Sequence, residues 1–474
     1  MELYPHGTIH FISVIGKRHK RVTHIELNSN SVEGSLSPYV GNLSFLRTLS
    51  LGNNSFQGTI PNEVGRLSRL RGNQLTGSLH PAIGGMLPYL VSLQLRDNQL
   101  VPISNYFEVF ENKFSGKIKI DFSKLRDIYF ISMGINNFGT KEQDEMNFID
   151  SLKNCSKLVT LALPNCNFQG VLPWSIGNLS SQLKHLFLNG NQLHGNVPTS
   201  TGNLVGLETL SLAGNQFEGN IPSTIGNLQN LGVLVLSFNQ LSGQIPHAME
   251  NLSSLTKLYL SSNMLNGVIP SSLGNCRNLL ALILYGNKLC GKIPKQLLQV
   301  SSLSIILDLS KNNLFGSLPT EVGYLDKLTI LDLSENNLSG AIPISLGDCG
   351  SLLGLSLKGN LFQGVIPQSL SSLKPLMALD ISYNKFLGML PTSSFPAIGG
   401  MLPYLVSLQL RDSNEAEVVN DFKKEANTKT IIEECVSSTV KIGVSCSMDS
   451  PTQRMDIKNV VHKLQHILNT LQNI

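Results

Sequence analysis

The stretch LGVLVLSFNQLSGQIPHAMENLSSLTKLYLSSNMLNGVIP, Leu231–Pro270, states one structural rule twice. Leu231, Leu234 and Leu236 recur as Leu255, Leu258 and Leu260, Asn239 as Asn263, and the group Gly243, Ile245, Pro246 as Gly267, Ile269, Pro270, each 24 residues on. Leu234 and Leu236 alternate with Val233, Val235 and Ser237, which predicts a short strand with one apolar face. One such rung cannot bury that face alone, whereas stacked rungs share a continuous core. The short amide of Asn239 suits it to backbone groups where the chain turns out of the strand. Pro246 lacks an N–H and ends pairing on the return.

The same frame, LxxLxLxxN followed by xLxGxIP, runs from Val22 to about Leu410. Its ladder positions are Asn30, Asn54, Asn73, Asn98, Asn112, Asn136, Cys166, Asn191, Asn215, Asn239, Asn263, Asn287, Asn312, Asn336, Asn360 and Asn384. From Cys166 onward every step is 24 or 25 residues. A fixed period of this length is the signature of a repeat architecture. At about 4.8 Å between strands, sixteen rungs predict a surface on the order of 75 Å long and without a cleft.

Composition agrees with a periodic chain. Charged residues make up 14% of the 474 residues, against about 25% in an ordinary soluble domain. No window offers the roughly 18 uninterrupted apolar residues of a membrane span. The net charge of +4 is scattered, which gives no footprint for nucleic acid. Seven Cys with no CxxC exclude both a dense disulfide scaffold and a zinc pattern. No cofactor or metal ligand set emerges.

The 24-residue LSGxIP frame, with NCSKLVTLALPNCNFQGVLPWSIGNLSSQLKHLFLNGNQLHGNVP and LDLSKNNLFGSLPTEVGYLDKLTILDLSENNLSGAIP, resembles plant leucine-rich-repeat receptor-like serine/threonine kinases. Within them it is most similar to the subfamily of immune receptors for bacterial peptides. The match covers roughly residues 20–395 and includes the 30-residue rung from Asn136 to Cys166 with its insert TKEQDEMNFIDSLKNC. The resemblance implies a leucine-rich-repeat solenoid with a parallel concave sheet, placed outside the cell at the plasma membrane. It further implies a peptide or protein ligand on the concave face and a co-receptor leucine-rich-repeat kinase as a second partner. Cys in place of a ladder Asn, as at Cys166, is within the family pattern.

Several segments depart from that pattern. Residues 1–21 read as a degenerate N-terminal cap, because FISVIGKRHKRVTHIEL lacks the Cys pair and Trp that family members carry there. The first rung is therefore expected to expose an open edge. No basic stretch precedes FISVIG and no small-residue cleavage site follows it, so the chain as written is expected to lack an export signal. Within the repeats, 22–395, the rungs near 55–73 and 99–112 are short, and a pinch or local disorder is expected between Gln99 and Asn112. PAIGGMLPYLVSLQLRD occurs at 81–97 and again at 396–412, a duplicated half-repeat in which Ser413 replaces the ladder Asn98. The remaining residues, 413–474, have no Leu before Leu464 and resemble the last two helices of the family's kinase domain. Ile457, Val460, Val461, Leu464, Ile467 and Leu471 fall on one helical face, and Arg454 matches a family Arg that pairs with the activation segment.

The Gly-rich loop, strand Lys, HRD and DFG that phosphoryl transfer needs are missing from the sequence, and Asn137, Phe138 and Gly139 only imitate the last of these. No catalytic residue is assigned. Ligand reading falls to side chains between the inward Leu positions: Phe187, Ser211, Val235, Tyr259 and Ile283 share one column of five rungs, with Phe238 and Tyr285 beside it. An exposed apolar stripe there marks an interaction site, although Val, Ile, Tyr and Phe favour strands in any case. Asp308, Asp332 and Asp380 continue the column as solubilising charge. Sequons stand at Asn42, Asn53, Asn154, Asn178, Asn251 and Asn337, about the number chance supplies. Cys155, Cys276 and Cys349 occupy like positions and read as buried free thiols. Two other readings stay open: a fragment of a full-length receptor serine/threonine kinase, and a decayed copy without function.

Overall fold

Leu at the inward positions leaves each rung with an apolar face that only its neighbours can cover, and the strands line up side by side accordingly. The computed structural model of the chain describes residues 106–140, 142 and 145–386, with shorter stretches at 11–14, 22–27, 31–35, 37, 39, 48–51, 54–59, 74–77 and 407–409. A 13-stranded sheet runs from Tyr106–Glu108 to Ser407–Gln409, each strand pairing in parallel with that of the next rung. Leu210, Leu234, Leu258 and Leu282 are successive partners in register, and none is accessible to solvent. Burying one such Leu stabilises by about 1.5–3 kcal/mol.

After Asn191 and each later ladder Asn a second strand forms, and these nine make a second sheet from His194–Asn196 to Lys385–Phe386. The returns begin at Pro198, Pro222, Pro246 and Pro270, whose extended backbone leads into the five-residue 3-10 helices Thr199–Asn203, Ser223–Asn227, His247–Asn251 and Ser271–Asn275. Pro suits that place because φ is already set and no N–H is wanted. The return at Lys295–Leu298 closes as an α-helical turn instead.

The ladder Asn side chains join consecutive rungs. Asn239 donates from Nδ2 to Leu236 O in its own rung and to Leu212 O in the preceding one, both at 3.0 Å. Its Oδ1 accepts the N–H of Phe217 at 3.0 Å. Asn191, Asn215, Asn263, Asn287, Asn312, Asn336, Asn360 and Asn384 make the same three bonds. At Cys166 the thiol substitutes by donating to Met133 O at 3.4 Å.

The irregular segments differ from expectation in two places. The first rung is not bare: Phe11–Val14 pairs antiparallel with Val22–Glu26, Ile12 opposite Ile25, and covers its outer edge. Backbone pairing alone does this, with no Cys or Trp required. Further on, Gln74–Gly77 pairs directly with Lys113–Gly116, although the rung of Asn98 lies between them in sequence. Fourteen residues from Asn98 to Asn112 are too few for two strands and a return. Of the span Gln99 to Asn112 where a pinch or local disorder is expected, residues 99–105 lie outside the described residues, as do the first duplicate copy and the segment 413–474. In the second copy Ser407–Gln409 is a strand paired with Ala378–Asp380.

The insert of the long rung forms the 3-10 helix Glu145–Asn154, with Met146, Phe148, Ile149 and Leu152 in the core. Among the described residues no helix is long and apolar enough to cross a membrane.

Candidate functional site

The face of the 13-stranded sheet turned away from the Leu core carries two outward side chains per strand, at positions that the core does not dictate. Parallel register turns each position into a column. Phe187, Ser211, Val235, Tyr259, Ile283, Asp308, Asp332, Ser356 and Asp380 are partners in unbroken succession. The five residues selected from sequence thus form one stripe, and the aspartates extend it directly.

Exposure along the stripe is lower than a free patch implies. Phe187, Val235 and Ile283 are half-buried, while Ser211 and Tyr259 are buried, each 8% exposed. Tyr259 lies in register between Val235 and Ile283. Burial pushes its hydroxyl pKa up to about 12. Phe238 is the exposed member at 57%, and its ring meets Tyr285 edge-on at 6.5 Å between centroids. These two belong to rungs separated by the rung of Asn263, so the rings reach across Ser261 and Ser262. His185, which the sequence reading passed over, stacks on Phe187 at 6.2 Å. Its signal was available: it stands two residues before Phe187, on the same side of the strand.

The aspartates are not simple solubilising charge. Asp308, Asp332 and Asp380 are half-buried. Oδ1 of Asp308 accepts from Ser310 N at 3.0 Å and Ser310 Oγ at 2.6 Å, and Asp380 is held by Ser382 in the same way. Burial, then the adjacent Asp332 carboxylate, push the Asp308 carboxyl up to about 6. Asp332 is raised as well, first by burial and further by Asp380, against the lowering pull of its Ser334 hydrogen bonds. Lys358 Nζ stands 3.9 Å from Asp380 Oδ2.

Outside this face, a shallow polar depression of about 460 Å³ lies along the second sheet, lined by Gln169, Gln192, His194, Gln216, Glu218 and Gln240. Asn154, Asn178, Asn251 and Asn337 are exposed; Asn42 and Asn53 lie outside the described residues. Cys155, Cys276 and Cys349 are buried free thiols, and burial raises their pKa values to about 12, 11 and 12. Among the described residues no group of three or more His, Cys, Asp or Glu is placed to hold a metal ion.

Comparison with known proteins agrees with this architecture. Residues 138–309 match the family described as leucine-rich repeat region, and 326–386 and 45–67 match two further leucine-rich-repeat families. The chain is 45% identical over 89 residues to the receptor kinase-like protein Xa21 of Oryza sativa subsp. japonica, covering 19% of this chain and 9% of that protein. It is 38% identical over 88 residues to the LRR receptor-like serine/threonine-protein kinase EFR of Arabidopsis thaliana, covering 19% and 8%. The matched segments therefore span less than a tenth of either relative. Among solved structures, a TDR receptor superposes with a TM-score of 0.70 at 30% identity, over 82% of this chain and 68% of that one. The plant peptide hormone receptor RGFR1 in complex with RGF2 gives 0.61 at 28%, over 86% and 78%. The chain belongs to the leucine-rich-repeat proteins, and its repeats are those of a plant leucine-rich-repeat receptor-like kinase ectodomain.

Proposed function

We infer that the outward face of the 13-stranded sheet recognises a peptide or protein ligand, as the ligand-reading part of a receptor-like kinase of the defence-signalling type. The observation that carries this reading is the column from Phe187 to Ile283, where five consecutive rungs place apolar or small side chains at positions that build no core. Support comes from solved neighbours described as receptors holding peptide ligands, RGFR1 with RGF2 among them. A parallel sheet face of this kind suits an extended chain laid across the strands, with successive side chains meeting successive rungs.

The test is selection of displayed peptides on the immobilised full chain, followed by titration of a selected peptide against Phe187→Asp and Val235→Asp. These two half-buried positions accept a charge without opening the core. Loss of affinity by about tenfold or more is expected. Unchanged affinity in both variants overturns the assignment of this face.

A further inference from the structure

The geometry points to a basic peptide as the ligand: an extended segment with an apolar side chain on the half-buried Val235 and Ile283, which flank Tyr259 in register, and an Arg or Lys three to five residues away, seated between the Phe238–Tyr285 rings and the Asp308–Asp332 carboxylates. This rests on the reading of the sheet face as a peptide-binding surface and names the chemistry of its ligand.

Two independent observations meet at that seat. The first is the aromatic pair itself, Phe238 and Tyr285, which the repeat frame does not require. Where Tyr285 stands, other rungs carry Ser237, Ser261, Ser310, Ser334 and Ser382. Where Phe238 stands, the backbone is left-handed, and other rungs use either Gly190, Gly214, Gly286 and Gly359 or larger residues such as Ile135, Lys311, Glu335 and Tyr383. Phe238 holds φ 57° with a bulky side chain that is left exposed, so burial does not offset its unfavourable backbone. Neither ring is set by the repeat frame, which elsewhere places Gly214, Ser262, Lys311, Glu335 or Tyr383 at the position of Phe238 and Ala213, Ser261 or Lys358 at that of Tyr285. Aromatic faces of this kind attract ammonium and guanidinium groups.

The second observation is charge. Asp308 and Asp332 are neighbours in register, and among the described residues neither forms an ion pair; Lys311 only lowers the Asp308 pKa from a distance. Asp380, two rungs beyond Asp332, already has Lys358 beside it. Ser310 occupies Oδ1 of Asp308, and Oδ2 has no hydrogen-bond partner among the described residues. Two half-buried like charges side by side are stabilised by a cation brought from outside, and an Arg fork fits both a carboxylate and an aromatic face. Complementary charge of this kind fixes register on the sheet. From Tyr259 to the middle of the Asp308–Asp332 pair is two and a half strand spacings, about 12 Å, which an extended chain crosses in about four residues.

Selection of random peptides displayed on the full chain at neutral pH tests this. Enriched peptides are expected to carry Arg or Lys three to five residues from an aromatic or aliphatic residue. Asp308→Asn with Asp332→Asn keeps the oxygens that accept from Ser310 and Ser334, and is expected to weaken a synthesised winner by about tenfold. Phe238→Gly with Tyr285→Ser restores residues that other rungs use, and is expected to weaken the same peptide about fivefold without loss of folding. Enriched peptides with no excess of basic residues, or equal affinity for the Asn variant, overturn the inference while leaving peptide recognition standing. Equal affinity for the Gly/Ser variant overturns the aromatic seat. No enrichment of any peptide overturns both readings.

Discussion

The buried carboxylate of Glu145 accepts the backbone N–H of Gln169 across 2.8 Å, and so ties the long insert to the rung that follows it. Its other oxygen accepts from the N–H groups of Thr140 and Glu142. Three donors depend on one side chain. Glu145→Ala removes the acceptor these donors share, and is expected to destabilise the protein by about 1–3 kcal/mol. Denaturant unfolding measures the loss, and hydrogen exchange at Gln169 N–H localises it. Unchanged protection at Gln169 excludes the anchoring role.

The ladder predicts an asymmetry between its two residue types. Asn263→Ala removes the bonds donated to Leu236 O, Leu260 O and Ser261 O, and the acceptor for Leu241 N. A cost of about 2–4 kcal/mol is expected. Cys166→Ala removes a weak thiol bond and little volume, so about 1 kcal/mol is expected. Chemical denaturation of both variants checks the order; equal losses contradict the account.

Thr201 is a flaw in an otherwise apolar column. Its counterparts in neighbouring returns are Ile176, Ile225, Met249 and Leu273, all in the core. Thr201 is completely buried and its Oγ1 finds no hydrogen-bond partner. Thr201→Val keeps the shape and removes the stranded hydroxyl, so a gain of about 1–2 kcal/mol is expected. Calorimetry should show a higher Tm; a lower one refutes the reading.

Asp308 ties stability to pH in a definite direction. Its folded pKa of about 6 lies above the ordinary carboxylate value of 3.8. Between those values the folded chain binds more protons than the unfolded one, so this group's contribution worsens as pH rises and levels off above about 6. Asp308→Asn is expected to be more stable than the parent chain at pH 7.5, by about 1–2 kcal/mol, with the difference fading near pH 4. Urea unfolding at the two pH values decides it. A variant less stable at pH 7.5 contradicts the raised pKa.

Much of this was legible in the residues because a 24-residue period repeats its own evidence. Leu234 and Leu258 announce the core face, and Asn239 and Asn263 the ladder, since each position has only one physical use. The stripe from Phe187 to Ile283 was legible as a column but not as a surface. Whether Tyr259 is open or buried depends on side-chain packing across neighbouring rungs, which spacing does not encode. The half-burial of Asp308 was hidden for the same reason. The strand Phe11–Val14 escaped notice because an edge can be closed by backbone alone, without the Cys and Trp that mark the family's cap. Thr201 was visible in the alignment of returns, yet only its burial makes it a defect.

The ladder gives the repeats a polarity. Each Asn completes the backbone of the rung before it, as Asn239 does for Leu212 and Phe217. A rung is therefore finished by its successor, and whole rungs can be added or removed by simple translation without new side-chain chemistry. Only the last member of such a series lacks a finisher. Here the sequence follows Asn384 with a copied half-rung whose strand, Ser407–Gln409, docks on Ala378–Asp380, but whose ladder position is Ser413. Serine has no amide that could donate twice and accept once. The copied half-rung thus supplies a strand that pairs but, in its sequence, not the amide that would complete the rung before it.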